Sequence, residues 1–239
     1  MKNYKANFNY FDIIDTPQKA YWLGFIFADG YIAKRDRGNR IEYNLKFSLK
    51  TSDASHLEKF ASDIESNYPV HYYKSKGFAV SGGDREDNEE ARLFITNKYM
   101  CKLLYEDYGI IPNRTSISKI LEVLPESLYK YFILGLFEAD GSFTKYELKS
   151  GKEKGSIKFS ATFGGSEEIL RFVESVLIQE DILPNIERKI QQRHKGADGT
   201  WRSIRITGRN CVTKLLNWLY DSPIHLERKY QKYVSLFSA

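Results

Sequence analysis

The sequence predicts an α+β fold: a tandem repeat of an αββαββα unit about a pseudo-two-fold axis, with two antiparallel four-stranded sheets. Three observations predict it. YWLGFIFADG at 21–30 and YFILGLFEADG at 131–141 share one order of aromatic, apolar, Gly, bulky and Ala-Asp-Gly residues. LKFS at 45–48 is answered by IKFS at 157–160, and LFITNKYMCKLL at 93–104 by IRITGRNCVTKLL at 204–216, at offsets of 111 to 112 residues throughout. In IEYNLKFSLK, 41–50, apolar and polar residues alternate over ten positions, the period of a half-buried strand. Matched stations in the same order at near-constant spacing mark a duplication, and two long copies favour a pair sharing one interface over a solenoid. The expected division is residues 1–112 for the first repeat, 113–128 for a connector and 129–239 for the second repeat.

Each element follows in turn. Residues 13–28 read as the first helix, with Asp12 or Asp15 as N-cap, Pro17 in the first turn and Gly30 as the stop. Strands at 31–37 and 41–50 form a hairpin through Arg37-Gly38-Asn39-Arg40. A helix at 53–66 capped by Ser52 or Asp53, strands near 70–80 and 91–96, and a helix at 97–107 complete the unit. The second copy repeats it: helix 126–139, strands 142–149 and 155–163, helix 166–180, strands 185–194 and 200–207, helix 208–220. GIIPNRTSISKILEVLPES, with its two prolines, is a short connector.

Composition bounds the function. A chain of 239 residues that is 42% hydrophobic can bury a sizeable core. No apolar run approaches the roughly 20 residues of a membrane span, and the start MKNYKANFNYFD lacks a secretory signal core, so an intracellular protein is expected. Two cysteines and four histidines argue against a disulfide framework or a structural zinc site. Net charge is +5, but it is concentrated: residues 34–50 carry six basic and two acidic side chains, residues 185–209 seven and two. That distribution suits a polyanionic partner. GGDREDNEE, 82–90, runs the other way, with five acids against one Arg. No Ser-His-Asp or Cys-His set stands out.

The repeated apolar helices carry the chemistry. Gly24 and Ala28, like Gly135 and Ala139, stand four apart, a stripe of small residues that lets another helix backbone approach closely. Packed on each other about the pseudo-two-fold axis, the two helices would bring Asp29 and Asp140 out at one end. Adjacent carboxylates repel unless a cation lies between them, and oxygen ligands suit a hard divalent ion.

WLGFIFADG and ILGLFEADG resemble the LAGLIDADG motif, and the element order around them is similar to that of the monomeric, two-motif LAGLIDADG homing endonucleases, over nearly the whole chain. The resemblance implies two sheets forming a saddle on double-stranded DNA. It implies a site-specific, intron-encoded endodeoxyribonuclease that makes a double-strand break with short 3′ overhangs at a long target. Asp29 and Asp140 correspond to the acids that hold Mg2+, flanked by Ala28, Gly30, Ala139 and Gly141, and Ca2+ is expected to support binding without cleavage. Phe27 and Glu138 occupy the earlier acid position, which is not a metal ligand in the family. Arg114, where the family often has Lys, and Lys229, with Arg228 adjacent, fall where the family places basic residues; Ser48 and Ser160 fall where it orders water. Parity on the strands nominates Asn44, Lys46, Ser48, Lys50, Lys158, Ser160 and Thr162 as DNA contacts, joined by Arg35, Arg37, Arg40, Lys189, Arg193, Ser203 and Arg205.

Two alternatives share the fold: an RNA maturase whose partner is intron RNA, and a DNA-binding regulator that does not cut. Two retained acids favour the nuclease, because a pure binder gains nothing from carboxylates facing phosphates. Without flanking splicing motifs, an embedded intein domain is the lesser expectation. Abundant Lys, Asn, Ile and Tyr suggest an A+T-rich genome and so a phage, bacterial or organellar setting.

Overall fold

The structure, a computed structural model, describes residues 3–75, 88–112, 116–186, 188, 190–192 and 201–237. In chain order its elements are α1 (Pro17–Asp29), β1 (Tyr31–Asp36), β2 (Ile41–Lys50), α2 (Ala54–Asp63), β3 (Val70–Ser75), β4 (Asn88–Thr96), α3 (Lys98–Lys102), α4 (Ser118–Leu121), α5 (Tyr129–Asp140), β5 (Ser142–Glu147), β6 (Ile157–Gly165), α6 (Glu167–Gln179), β7 (Gln191–Gln192), β8 (Arg202–Thr207), α7 (Arg209–Tyr220) and α8 (Glu227–Phe237). They fold into two compact units. The first comprises Met1–Ile13, Asp29–Pro112 and Leu226–Arg228; the second comprises Ile14–Ala28, Asn113–His225 and Lys229–Ala239.

The first unit is built on the antiparallel sheet β1-β2-β4-β3. Strict alternation in β2 buries Tyr43, Leu45 and Phe47 and turns Asn44, Lys46 and Ser48 to the other face. Under the buried face lie Leu57 and Phe60 of α2, with the Phe47 and Phe60 rings edge to face at 5.0 Å. Each such fully buried side chain contributes roughly 1.5–3 kcal/mol from the removal of apolar surface from water. At the hairpin, Asp36 accepts from the Gly38 N–H at 2.7 Å and Gly38 takes φ +77°, a conformation glycine adopts without a Cβ clash.

The second unit repeats the sheet as β5-β6-β8-β7. Phe143, Phe159, Phe163, Ile204 and Ile206 face inward, where α6 supplies Leu170, Val173 and Leu177 and α7 supplies Val212, Leu215 and Leu219. This unit also takes in the body of α1, because α1 and α5 pack backbone to backbone. A Cβ on Gly24 would lie 2.1 Å from the Phe132 carbonyl oxygen, and one on Gly135 would lie 2.2 Å from that of Tyr21. At these two glycines the helix backbones meet with no room for a side chain.

Several local expectations are corrected. The first helix begins at Pro17, not at 13, and Thr16 takes the capping role expected of Asp12 or Asp15: its Oγ1 accepts from the Lys19 N–H at 3.3 Å. Asp15 is drawn off into an ion pair with Lys19 at 2.8 Å. Asp53 makes no cap hydrogen bond; it is buried and paired with Arg228 at 3.0 Å, so neutralising a buried carboxylate wins over capping. The 97–107 helix splits into α3 and a wider π-helical turn, Leu103–Asp107. Of the strand expected over 185–194, the described residues place Gln191–Gln192 in the sheet, while at Pro184, Ile186 and Arg188 side chains take backbone groups that a ladder would use. The Arg188 N–H donates to the buried Glu174 carboxylate at 3.1 Å, and the Arg188 guanidinium donates to the carbonyls of Pro184 and Ile186. Helix α8 was not anticipated, although Leu226, Tyr230, Tyr233 and Phe237 recur at helical spacing; Tyr233 stacks on Tyr220 at 4.8 Å. No helix among the described residues is long and apolar enough to cross a membrane.

Candidate metal-binding acids and nucleic-acid interface

Asp29 is the last residue of α1 and Asp140 the last of α5; Asp29 is exposed and Asp140 half-buried. A helix C-terminus carries the negative end of the backbone dipole, and neither last turn holds a basic residue to offset it. A carboxylate in that position is an oxygen donor suited to a cation. The donors are all oxygen, which fits Mg2+ or Ca2+ rather than a thiolate-seeking metal. No cluster of three or more His, Cys, Asp or Glu that could hold a metal occurs among the described residues, so a metal at either acid would complete its shell with backbone oxygens, water and substrate phosphate.

The backbone beyond α5 is held firmly. Gly141 is buried, and a Cβ there would collide with the Phe137 ring at 2.4 Å, which explains the glycine after the acid. Lys229, itself buried, donates through Nζ to the Gly141 carbonyl at 2.6 Å and to that of Phe137 at 2.8 Å. Lys232 reaches the Phe143 carbonyl at 2.5 Å. Lysines of α8 therefore hold backbone carbonyls at the end of α5 and the start of β5. Arg228, next to Lys229 in sequence, is engaged by Asp53 instead. Arg114 lies outside the described residues.

The solvent face of the first sheet holds the nominated side chains. Lys46 stands opposite Tyr31 on β1 and Phe94 on β4; Ser48 stands opposite Arg92, and Lys50 opposite Glu90. Asn44 accepts from the Thr96 hydroxyl at 2.6 Å. Arg37 and Arg40 both pair with Glu42, at 3.3 and 2.5 Å, and their guanidinium groups hold its carboxyl below the usual range. Arg35 is exposed on β1. Ser48 donates to Glu90 at 3.1 Å rather than standing alone. Sequence parity missed Arg92, which pairs with Glu90 at 2.8 Å and lies over the Tyr73 ring at 4.5 Å. Glu90 sits in the acidic 82–90 stretch, yet it is on this face, and Arg92 lowers its pKa.

On the second sheet, Ser142, Thr144, Ser160, Thr162, Gln191, Ser203 and Arg205 line an open polar trough of about 260 Å³. Sequence reading nominated four of them; Ser142, Thr144 and Gln191 were missed, although strand period applied to β5 would have found the first two. Lys158 pairs with Glu153 at 2.9 Å. Lys189 and Arg193 lie outside the described residues.

Residues 127–217 match a LAGLIDADG-like domain. No curated protein matches the chain. Among solved structures, the LAGLIDADG meganuclease I-AabMI bound to uncleaved DNA is similar with a TM-score of 0.58 at 14% identity, covering 93% of this chain and 90% of that one. The I-LtrWI LAGLIDADG homing endonuclease bound to target DNA has a TM-score of 0.58 at 11% identity, covering 97% and 90%. I-SmaMI bound to uncleaved DNA in the presence of calcium ions has a TM-score of 0.57 at 12% identity, covering 93% and 90%.

Proposed function

Taking the chain as a two-motif protein of the LAGLIDADG family, from its LAGLIDADG-like domain and its fold, we propose that it is a site-specific endodeoxyribonuclease that makes a double-strand break with Mg2+. The observation that carries the proposal is the pair of acids: Asp29 and Asp140 are each the last residue of an apolar motif helix. A pure nucleic-acid binder has no use for such carboxylates near phosphates, whereas a metal-dependent nuclease requires them.

Asp29 and Asp140 hold the metal in this reading, with the backbone of Ala28, Gly30, Ala139 and Gly141 beside them. A bound Mg2+ supplies a water that is nucleophilic near neutral pH and stabilises charge on the leaving oxygen. The chain's own residues position and exclude. Lys229 fixes the end of α5 through two carbonyls; Arg114 adds positive charge; Ser48 and Ser160 order water. The polar faces of the two sheets take up the DNA, with Arg35, Arg37, Arg40, Lys46, Lys50, Lys158, Lys189 and Arg193 on phosphates. Asn44, Thr162, Ser203 and Arg205 lie at base edges. One chain carries both motif helices, so the active species is a monomer, and an intron in a phage, bacterial or organellar genome is its coding element.

The test is cleavage of a randomised or genomic DNA library in Mg2+, beside Asp29→Asn, Asp140→Asn and a Ca2+ control. Specific double-strand breaks that vanish in both variants, with binding retained in Ca2+, are expected. Retention of DNA or structured RNA without cleavage by the wild type overturns the nuclease reading in favour of a regulator or a maturase.

A further inference from the structure

We propose that Arg92 reads a guanine and is a determinant of target preference, held ready by Glu90 and Tyr73; this rests on the DNA-binding reading above. β4 is an inner strand of its sheet, and Arg92 stands opposite Ser48 on β2 and His71 on β3, at the middle of the polar face. Its Nε and Nη2 donate to one Glu90 oxygen at 2.9 and 2.8 Å, and Ser48 donates to the same oxygen at 3.1 Å. The guanidinium carbon lies 4.5 Å from the Tyr73 ring centroid. One edge of the planar group is thus bound to a carboxylate and one face is laid on an aromatic ring.

What remains is the Nη1–Nη2 edge, and its two parallel N–H bonds match the O6 and N7 acceptors of guanine in the major groove. Two further arguments favour a base over a phosphate. The Glu90 carboxylate cancels the charge of Arg92 and repels a phosphate, while leaving the donor geometry intact. A side chain already fixed by ion pair and stack loses little rotamer freedom when it binds, which suits a contact whose value is orientation. Arg37 and Arg40 differ in degree: the two share a single carboxylate, Glu42, and stand at the hairpin with side-chain exposures of 56% and 75%.

The experiment selects binding sites from a randomised DNA pool in Ca2+ with the full chain and with Arg92→Lys, Arg92→Ala and Glu90→Gln, each checked for an unchanged thermal midpoint. The wild type is expected to select guanine at one position. Arg92→Lys, which keeps the charge and loses the bidentate fork, should reduce that preference by about tenfold to a hundredfold and leave other positions unchanged. Arg92→Ala should abolish it, and Glu90→Gln should weaken the same position alone. An Arg92→Ala protein that selects the same site, or that loses affinity uniformly at every position, overturns the inference and leaves DNA binding standing. A wild type that selects no DNA overturns both.

Discussion

Tyr21 of α1 donates its hydroxyl to Glu138 of α5 at 2.6 Å, and the residues 111 positions from each, Phe132 and Phe27, form an aromatic pair with centroids 6.1 Å apart. One duplicated contact has become polar on one side and apolar on the other. Both members of the polar pair are buried, and burial together with the Glu138 charge pushes the Tyr21 phenol well above its ordinary pKa. Two copies of α1 would set Tyr21 against Phe27, and two copies of α5 would set Glu138 against Phe132, each leaving a buried polar group facing a ring. The pairing therefore favours α1 with α5.

Tyr21→Phe removes only the hydroxyl, so the cost is the buried carboxylate left behind. The expected loss is about 1–3 kcal/mol in urea unfolding. Tyr21→Phe combined with Glu138→Leu should recover part of that loss, because removing both partners of a buried polar contact is milder than removing one. A double variant less stable than the sum of the single variants contradicts the account.

The glycines of the same contact leave no room to adapt. At Gly24 and Gly135 the atoms that a methyl group would strike are backbone, not the tip of a flexible side chain. Gly24→Ala and Gly135→Ala must push α1 and α5 apart, and each should lower stability by about 3 kcal/mol or more, read as a fall in the thermal midpoint. Gly38→Ala makes a useful contrast. Nothing lies within 4 Å of its Cβ position, so only the strain of φ +77° opposes it, and the cost should be near 1 kcal/mol.

The same contact separates what the sequence could and could not disclose. Repetition and strand period were legible because they are written in residue type at fixed spacing: Gly24 with Gly135, Phe47 with Phe159, Ser48 with Ser160. The bounds of most strands and helices therefore fell within a few residues of the structure. Residues whose role depends on a distant partner were not legible. Asp53 looks like a cap until Arg228, 175 positions away, is placed beside it. Arg92 looks like one more charge until Tyr73 of the neighbouring strand β3 is placed beneath it. Near the start of the strand expected over 185–194, Glu174 and the Arg188 guanidinium take the backbone groups of Pro184, Ile186 and Arg188, a competition that no local pattern records.

Acid should weaken the fold in part through Glu106. The Lys34 ammonium at 2.8 Å and the Tyr43 hydroxyl hold the Glu106 carboxyl down at about 2, against an ordinary 4.5. A carboxyl whose folded pKa is depressed stabilises the fold above its unfolded pKa and loses that contribution as pH falls toward the folded value. The contribution is thus complete above about pH 4.5 and disappears toward pH 2. Glu106 is partly exposed, so solvent screens the effect. Thermal midpoints between pH 7 and pH 2 should fall more steeply for the wild type than for Glu106→Gln. Parallel curves for the two proteins remove Glu106 as a cause.

Lys229 offers the sharpest division between holding a site and reacting in it. Its ammonium is buried and donates to the carbonyls of Phe137 and Gly141, on either side of Asp140 in the chain. Lys229→Met keeps the length and the apolar stem but leaves both carbonyls without that donor, so the end of α5 is free to shift. A displacement of about 1 Å at a reacting group can cost on the order of a hundredfold in rate. The expected result is a cleavage rate lowered by about that factor, with affinity for the target in Ca2+ within about threefold of wild type, since Lys229 lies off the sheet faces. Lys229→Arg supplies the control, because it restores a buried cation with donors for the same carbonyls; partial rescue of rate supports positioning. If Lys229 acted as a proton donor or acceptor instead, the pH profile of the residual cleavage would change shape in both variants. A positioning role lowers the profile and leaves its shape alone.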